Sequence, residues 1–151
     1  MLTSTVDRVP NHTANHVNDR IRQTTLRSIQ RTAAQGPAAI ERRLQELDRE
    51  WDVERTLEAN AATAVVTGVV LGATVDRRWL LFPAAVGGFL LQHALQGWCP
   101  PMAWFRRLGI RTSYEIDYER YALKALRGDF DNLPDARSAQ AAHVALAAAQ
   151  R

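Results

Sequence analysis

The sequence predicts an all-α protein: a two-span transmembrane helical hairpin with cytoplasmic amphipathic helices before and after it. Two apolar runs, Ala59 to Val75 and Trp79 to Leu95, contain no Asp, Glu, Lys or Arg, and only Asp76-Arg77-Arg78 separates them. Each run has roughly 17 to 20 residues, the low end of the length that crosses about 30 Å of hydrocarbon. The mean hydropathy of the whole chain, -0.27, hides these runs because polar segments flank them.

The charges around the two runs predict their orientation. Basic residues lie on both sides of the hairpin, from Arg42 to Arg55 before it and from Arg106 to Lys124 after it, whereas the loop holds only Arg77 and Arg78. Cytoplasmic flanks carry such an excess. No cleavable signal peptide is apparent in residues 1–34, so the first run is expected to direct insertion. We therefore predict a multi-pass protein of the bacterial inner membrane with both termini in the cytoplasm.

The segment before the hairpin predicts a helical stalk. Residues 1–12 have little hydrophobicity and are expected to be irregular, and a basic helix follows over residues 13–34. Gly36-Pro37 then suits a helix end and a new start. No Gly or Pro interrupts residues 38–67, so the second helix is expected to run into the first span. Residues 13–58 would thus form a cytoplasmic helical hairpin or stalk, with one apolar face made by Ile40, Leu44, Leu47 and Trp51.

The segment after the hairpin predicts one capped helix. Residues 59–98 form the predicted transmembrane hairpin, which Gly97 to Pro101 ends because consecutive prolines disfavour helix before them. Thr112 and Glu115 have the spacing of a capping box, which predicts a helix from Thr112 to Arg127 within an interfacial segment, residues 99–130. The alanine-rich tail, residues 131–151, predicts a helix that would be marginal alone.

One stretch of the chain resembles a known family. Gly97-Trp98-Cys99-Pro100 and Leu108-Gly109-Ile110-Arg111-Thr112 follow two hydrophobic helices. This order is similar to the YgaP-like transmembrane domain family of small bacterial inner-membrane proteins, over about residues 56–112. The best-known architecture of that family adds a rhodanese sulfurtransferase, which implies a thiol near the membrane in sulfur transfer. Here no rhodanese domain and no second cysteine are present, so only Cys99 matches a family position.

Small residues in both runs predict close helix packing. Gly68 and Gly72 form a GxxxG step, and in an antiparallel hairpin centred on Arg77 they would lie opposite Gly87 and Pro83, respectively. Such residues let two helix backbones approach closely. They pack either the hairpin against itself or one copy of the chain against another. The candidate packing residues are Ala64, Gly68, Gly72, Ala84, Gly87 and Gly88.

Polar residues near the cytoplasmic ends of the two runs predict an intramembrane polar layer made of Asn60, Gln92, His93 and Gln96. An ionisable side chain within a span is a functional candidate by default. The alternative is a neutral His93 without a function, whose ring nitrogens are satisfied by hydrogen bonds to Asn60 or Gln96. A proton pathway along this layer is the weaker interpretation, because two spans per copy need several copies to enclose a pore.

The sequence gives little support for a metal site, a catalytic site or a nucleic-acid-binding site. His12 and His16 have a spacing that can share a metal on a helix, but two ligands are too few, so no metal is predicted. The sequence shows no catalytic triad, no phosphate-binding loop and no basic run typical of a nucleic-acid groove. We therefore predict no enzyme activity, no cofactor and no nucleic-acid partner.

The sequence supports two candidate functions. The first is a structural or adaptor role in the lipid bilayer, as a homo-oligomer or as a subunit of a larger membrane complex. The second is a membrane-bound thiol carrier, of sulfur or of redox equivalents, that uses Cys99. Arg106 and Arg107 lie a turn or two from that cysteine and would favour its thiolate. A free cysteine that does no chemistry is the alternative to this second function.

Overall fold

The computed structural model describes residues 4–138 and 140–150, and over these residues the chain is helical and contains no strand. This confirms the all-α prediction. Two 3-10 helices, Pro10–His12 and Arg77–Leu80, accompany seven α-helices. The α-helices are α1 (Asn15–Ala34), α2 (Pro37–Leu47), α3 (Val53–Thr74), α4 (Leu81–Gln96), α5 (Pro100–Arg107), α6 (Ser113–Arg127) and α7 (Ala141–Gln150).

The chain divides into two compact units. The first unit comprises Met1–Ile21 and Trp51–Ser113, and the second comprises Arg22–Glu50 and Tyr114–Arg151. The first unit therefore holds the apolar helices α3 and α4 with α5. The second unit holds most of α1 together with α2, α6 and α7, and its two segments come from opposite sides of the apolar runs.

A break separates the second predicted helix from the first apolar run. Helix α2 ends at Leu47 and α3 begins at Val53, so the prediction of one unbroken stalk is wrong. Asp52 adopts an extended backbone and its Oδ1 accepts a hydrogen bond from the Arg55 backbone N–H at 2.7 Å. An Asp at this position satisfies an otherwise unpaired donor, so it starts a new helix without any Gly or Pro. Trp51 accordingly leaves the predicted face and stacks on the Arg55 guanidinium, 4.4 Å from the ring centre.

The apolar runs form α3 and α4, joined by a tight reversal at Val75 to Leu80. Within the described chain, α3 is the one helix long and apolar enough to cross a membrane. Helix α4 has 16 residues, because the run begins with the 3-10 helix Arg77–Leu80. The second span of the predicted hairpin is therefore not confirmed by helix length. Side-chain capping by Asp76, which accepts from the Arg78 N–H at 2.8 Å, starts the reversal.

Glycines of α3 provide the close contact between these two helices. A Cβ on Gly68 would lie 2.5 Å from Cδ of Pro83, and one on Gly72 would lie 2.5 Å from Cδ2 of Leu80. The pairing is displaced from the predicted one, because the reversal centres near residues 75–76 instead of on Arg77. A Cβ on Gly87 or on Gly88 would meet nothing within 4 Å. Of these four glycines, only Gly68 and Gly72 of α3 therefore lie in the contact between α3 and α4.

The N-terminal segment is packed against the first unit. Residues 4–12, predicted to be irregular, form turns and the 3-10 helix Pro10–His12, while residues 1–3 lie outside the described chain. Val9 is 2% exposed and joins a core with Val53, Leu57, Cys99 and Met102. Burial of one apolar side chain contributes roughly 1.5 to 3 kcal/mol, enough to hold a short segment in place.

The second unit has a core of its own. Its buried cluster consists of Ile40, Leu44 and Leu47 from α2 with Ile116 and Leu123 from α6. Helix α6 spans Ser113–Arg127 and Gly128 follows it with φ +87°, close to the predicted boundaries. The tail forms α7, whose Ala149 carbonyl accepts a hydrogen bond from Nζ of Lys124 at 2.5 Å. The predicted stalk and the predicted capped helix are therefore not independent elements, because α2 and α6 share one core.

A buried carboxylate links the helices of the second unit. Glu119 of α6 is 0% exposed and accepts from Oγ of Ser28 at 2.6 Å and from Nε of Arg43 at 2.9 Å. The hydrogen bond to Glu119 raises the pKa of Arg43 above its ordinary value. Around this group, Glu41 of α2 pairs with Arg127 of α6, and Asp48, which directly follows α2, pairs with Arg120 of α6.

We predict that Glu119→Gln destabilises the second unit by about 3 kcal/mol, because removing one partner leaves the other charge poorly compensated. Thermal unfolding of the full chain in detergent micelles, followed by circular dichroism, checks this. Glu46→Gln is the matched control, since its ion pair with Arg43 lies at the surface and is worth roughly 0 to 1 kcal/mol. Equal loss in the two variants would contradict the assignment of Glu119 as the linking group.

We also predict opposite effects of adding one methyl group at two glycines of the apolar helices. Gly68→Ala places its Cβ against the rigid Pro83 ring and should cost about 1 to 3 kcal/mol. Gly88→Ala enters open space and should stabilise its helix by up to about 1 kcal/mol. Unfolding by a rising fraction of denaturing detergent measures both, and a Gly68→Ala protein as stable as the parent would refute the close approach.

Candidate thiol site

The single cysteine lies where α4 ends and α5 begins. Cys99 is the N-cap of α5 with an extended backbone, and prolines at positions 100 and 101 occupy the first helical turn. Prolines suit that turn, so the pair starts a helix as well as ending one. The side chain is 1% exposed and packs among Val53, Leu57 and Met102. The thiol therefore lies in an apolar core at the N-terminal end of α5.

A buried histidine from α4 lies beside this cysteine. His93 is 2% exposed, and its Nε2 lies 2.8 Å from Oε2 of Glu54. Cys99 is close enough to act electrostatically on the imidazole. His93 and the Cys99 thiol form no hydrogen bond of normal geometry. Among the described residues, Nδ1 of His93 is the one buried side-chain nitrogen or oxygen atom without a hydrogen-bond partner. The imidazole thus has one nitrogen engaged and one nitrogen open on the side of the thiol.

Glu54 holds the engaged side of the imidazole. It occupies the first turn of α3, where a negative charge is favoured by the helix dipole. Its Oε1 accepts from Nη2 of Arg8 at 2.8 Å, and its Oε2 faces His93. The two carboxylate oxygens therefore join the N-terminal segment to α3 and α4.

Arg8 also closes this end of the first unit. Its Nη1 donates to the Ala94 carbonyl at 2.9 Å. A Cβ on Gly97, which has φ +76°, would lie only 2.5 Å from the Arg8 carbonyl oxygen. The backbone of Arg8 therefore lies directly on the glycine that ends α4, and this contact requires a residue without a side chain.

The partners of His93 assign its protons. A carboxylate only accepts hydrogen bonds, so Nε2 of His93 carries a hydrogen and donates it to Glu54. A neutral imidazole in this tautomer has a free lone pair on Nδ1. That lone pair can receive the proton of the Cys99 thiol, which would leave a thiolate beside an imidazolium held by Glu54. A nucleophile, a base and a group that orients the base are the arrangement that activates cysteine.

The other side of Cys99 faces an apolar cavity. Its volume is about 340 Å³, and α3, α4 and α5 all contribute to its wall. Leu57, Ala61 and Ala64 line it from α3, and Val86 and Phe89 line it from α4. Asn60 and Cys99 are its only polar lining residues, and no charged side chain reaches it. The thiol thus has a charged network on one side and an uncharged space on the other.

The comparison with protein families matches this part of the chain. The model of the inner membrane protein YgaP-like, transmembrane domain, covers residues 52–114. Residues 52–114 are thus similar to a YgaP-like transmembrane domain. A search of curated proteins and a search of solved structures each give no match. The family match confirms the resemblance found in the sequence and supports an integral membrane protein.

Glu54, His93 and Cys99 all lie within the YgaP-like domain, but the predicted polar layer is arranged differently. His93 pairs with Glu54 instead of Asn60 or Gln96, and the Asn60 amide donates to the Thr56 carbonyl at 2.8 Å. Gln96 is exposed and Gln92 is half-buried. Helical spacing alone had not revealed a carboxylate partner, because Glu54 lies before the apolar run and is one of several acids in that stretch.

The remaining candidates have other surroundings. His12 lies in the 3-10 helix and its Nδ1 bonds the Arg8 carbonyl oxygen at 2.8 Å, whereas His16 lies in α1, so they do not share one helix. No group of three potential metal ligands occurs over residues 4–138 and 140–150. Arg106, predicted to act on Cys99, is fully buried and donates to the Ile110 carbonyl and to Oδ1 of Asn18.

Proposed function

We propose that this protein is a membrane-bound thiol carrier in which Cys99 is the reactive group. The observation that supports this best is the open Nδ1 of His93, which is buried beside Cys99 while Nε2 is held by Glu54. A buried polar atom without a partner costs roughly 1 to 3 kcal/mol, so its presence needs an explanation. Acceptance of the thiol proton by Nδ1 would explain it.

The carrier step proceeds without an external oxidant. The Cys99 proton moves to Nδ1 of His93, and the thiolate attacks the outer sulfur of a hydrodisulfide, R–S–SH. A new sulfur–sulfur bond forms on Cys99 as the bond within the donor breaks. The thiol R–SH leaves after its sulfur takes the proton back from His93. The protein then holds one extra sulfur atom as a persulfide, and the reverse step delivers it to an acceptor thiol.

Arg8 and Glu54 act as positioning groups for this step. Glu54 faces the imidazole from α3, Arg8 faces Glu54 from the N-terminal segment, and Cys99 faces the imidazole from α5. A carboxylate bonded to Nε2 stabilises the imidazolium that forms when the thiol loses its proton. Arg8 prevents the carboxylate from turning away.

We predict that His93→Gln lowers the rate at which Cys99 reacts with methyl methanethiosulfonate at pH 7 by about tenfold. Glutamine keeps a donor for Glu54 but removes the base on the thiol side. Mass spectrometry of the full chain in detergent measures the rate, with Cys99→Ser as the blank and Gln96→Ala as the matched control on the same helix. The pH profile should change in His93→Gln and stay unchanged in Gln96→Ala.

Equal rates and equal pH profiles in the parent and in His93→Gln would contradict the thiol carrier. A second readout is the product formed with a hydrodisulfide donor. The parent should gain the mass of one sulfur atom, reversibly by dithiothreitol, whereas Cys99→Ser should not gain it.

We propose two spans with both termini cytoplasmic as the topology of the protein. The basic flanks support this orientation, because positive residues outside the hairpin outnumber those in its loop. The 3-10 helix Arg77–Leu80 and α4 together extend the second apolar segment over residues 77–96, which supports a second span. Cys99 would then lie on the cytoplasmic side, at the end of that span.

A structural or adaptor role is the second candidate, and the open glycines of α4 favour it. A Cβ added at Gly87 or at Gly88 would meet nothing within 4 Å, and Ala84 is exposed one turn before them. Small residues of this kind support close packing between copies or against a larger complex. Native mass spectrometry in a mild detergent should show a dimer or larger species that Gly88→Leu reduces to the monomer, with Leu91→Ala as a control for side-chain size. A monomer alone would count against it.

A further inference from the structure

We propose that the Cys99 site takes uncharged, apolar disulfides with small organic groups, which reach the thiol through the apolar cavity between α3, α4 and α5. The inference rests on the proposed thiol function and adds the class of substrate and its route. It starts from the two different sides of Cys99, which itself is 1% exposed.

The polar side of the thiol is closed. His93 lies against Cys99, and Glu54 and Arg8 lie behind it. Val9 is packed in the same core as Cys99, and the Arg8 backbone rests on Gly97. A charged donor entering from this side would have to displace a buried side chain and a salt bridge. That route is therefore blocked while the N-terminal segment is in place.

On its apolar side, Cys99 is part of the wall of a space that fits a small organic group. The cavity of about 340 Å³ extends along α3 from Leu57 to Ala64 and along α4 from Phe82 to Leu90. Most of these residues belong to the two apolar runs, so in the proposed topology the cavity extends from Cys99, at the cytoplasmic end, to the level of the hydrocarbon. A charged compound would lose its hydration there with no group to compensate it, whereas an apolar one would not.

The chemistry suits a neutral disulfide. The Cys99 thiolate attacks one sulfur of R–S–S–R, a mixed disulfide forms on Cys99, and the sulfur–sulfur bond of the substrate breaks. The leaving sulfur departs with the electron pair and receives the proton held on Nδ1 of His93. Atoms, charge and electrons balance, and the only co-reactant is the disulfide itself. Asn60, at the edge of the cavity, is the single polar side chain there besides the thiol.

The test compares two aromatic disulfides on the full chain in detergent micelles. One is uncharged dipyridyl disulfide, and the other is the dianionic nitrobenzoate disulfide, both of which release a coloured thiol. Each rate is divided by the rate of the same protein unfolded in sodium dodecyl sulfate, which corrects for reagent reactivity. We expect the corrected rate of the neutral probe to exceed that of the dianion by at least about tenfold.

A matched pair of variants tests the route. Ala64→Phe fills the cavity and should slow the neutral aromatic probe by about tenfold. Val66→Phe adds the same side chain to the exposed face of α3 and should leave this rate unchanged. Circular dichroism spectra and thermal unfolding midpoints that match those of the parent establish that both variants are folded.

The two proposals fail in different ways. Equal corrected rates for the neutral and dianionic probes, or full reactivity of Ala64→Phe with the neutral probe, would overturn the apolar route while leaving a dependence on His93 intact. Loss of any dependence on His93, with the selectivity for the neutral probe retained, would overturn activation of the thiol alone. A folded chain whose Cys99 reacts with no probe would overturn both.

Discussion

The Glu54 carboxylate is the interaction on which the first unit depends. One oxygen binds Arg8 and the other binds His93, so a single side chain joins the N-terminal segment, α3 and α4. The group lies where the chain passes from a charged segment into an apolar one. A carboxylate there must be paired, because unpaired charge in a poorly hydrated site is costly. Arg8 and His93 each bind one carboxylate oxygen of Glu54. These contacts hold the first turn of α3 in place.

The same network determines the environment of Cys99. The thiol is buried in a small apolar core, which by itself would make it inert. His93 changes this, because its engaged Nε2 leaves Nδ1 as an acceptor on the side of the thiol. An apolar core and a proton acceptor therefore meet at one sulfur atom.

The two units differ in the kind of side chain that they expose and bury. The second unit is a polar helical assembly with an apolar core and a buried Glu119, and its acids pair with the arginines of α6. The first unit exposes apolar side chains along α3 and α4, such as Val66 and Leu91, which suits lipid contact. The match of residues 52–114 to the YgaP-like transmembrane domain coincides closely with one of the two segments of the first unit, Trp51–Ser113.

By itself the sequence determined the all-α class, the apolar runs, the family and most helix boundaries. These follow from local composition, from periodicity and from residues such as Gly36 and Gly128, whose left-handed backbones end helices. The Asp52 break was missed because its effect depends on a side chain capping its own backbone. Tertiary structure alone decided that Glu54 meets His93, 39 residues later, and that α2 shares a core with α6. Contacts between distant residues depend on how helices pack, and helical spacing carries no information about them.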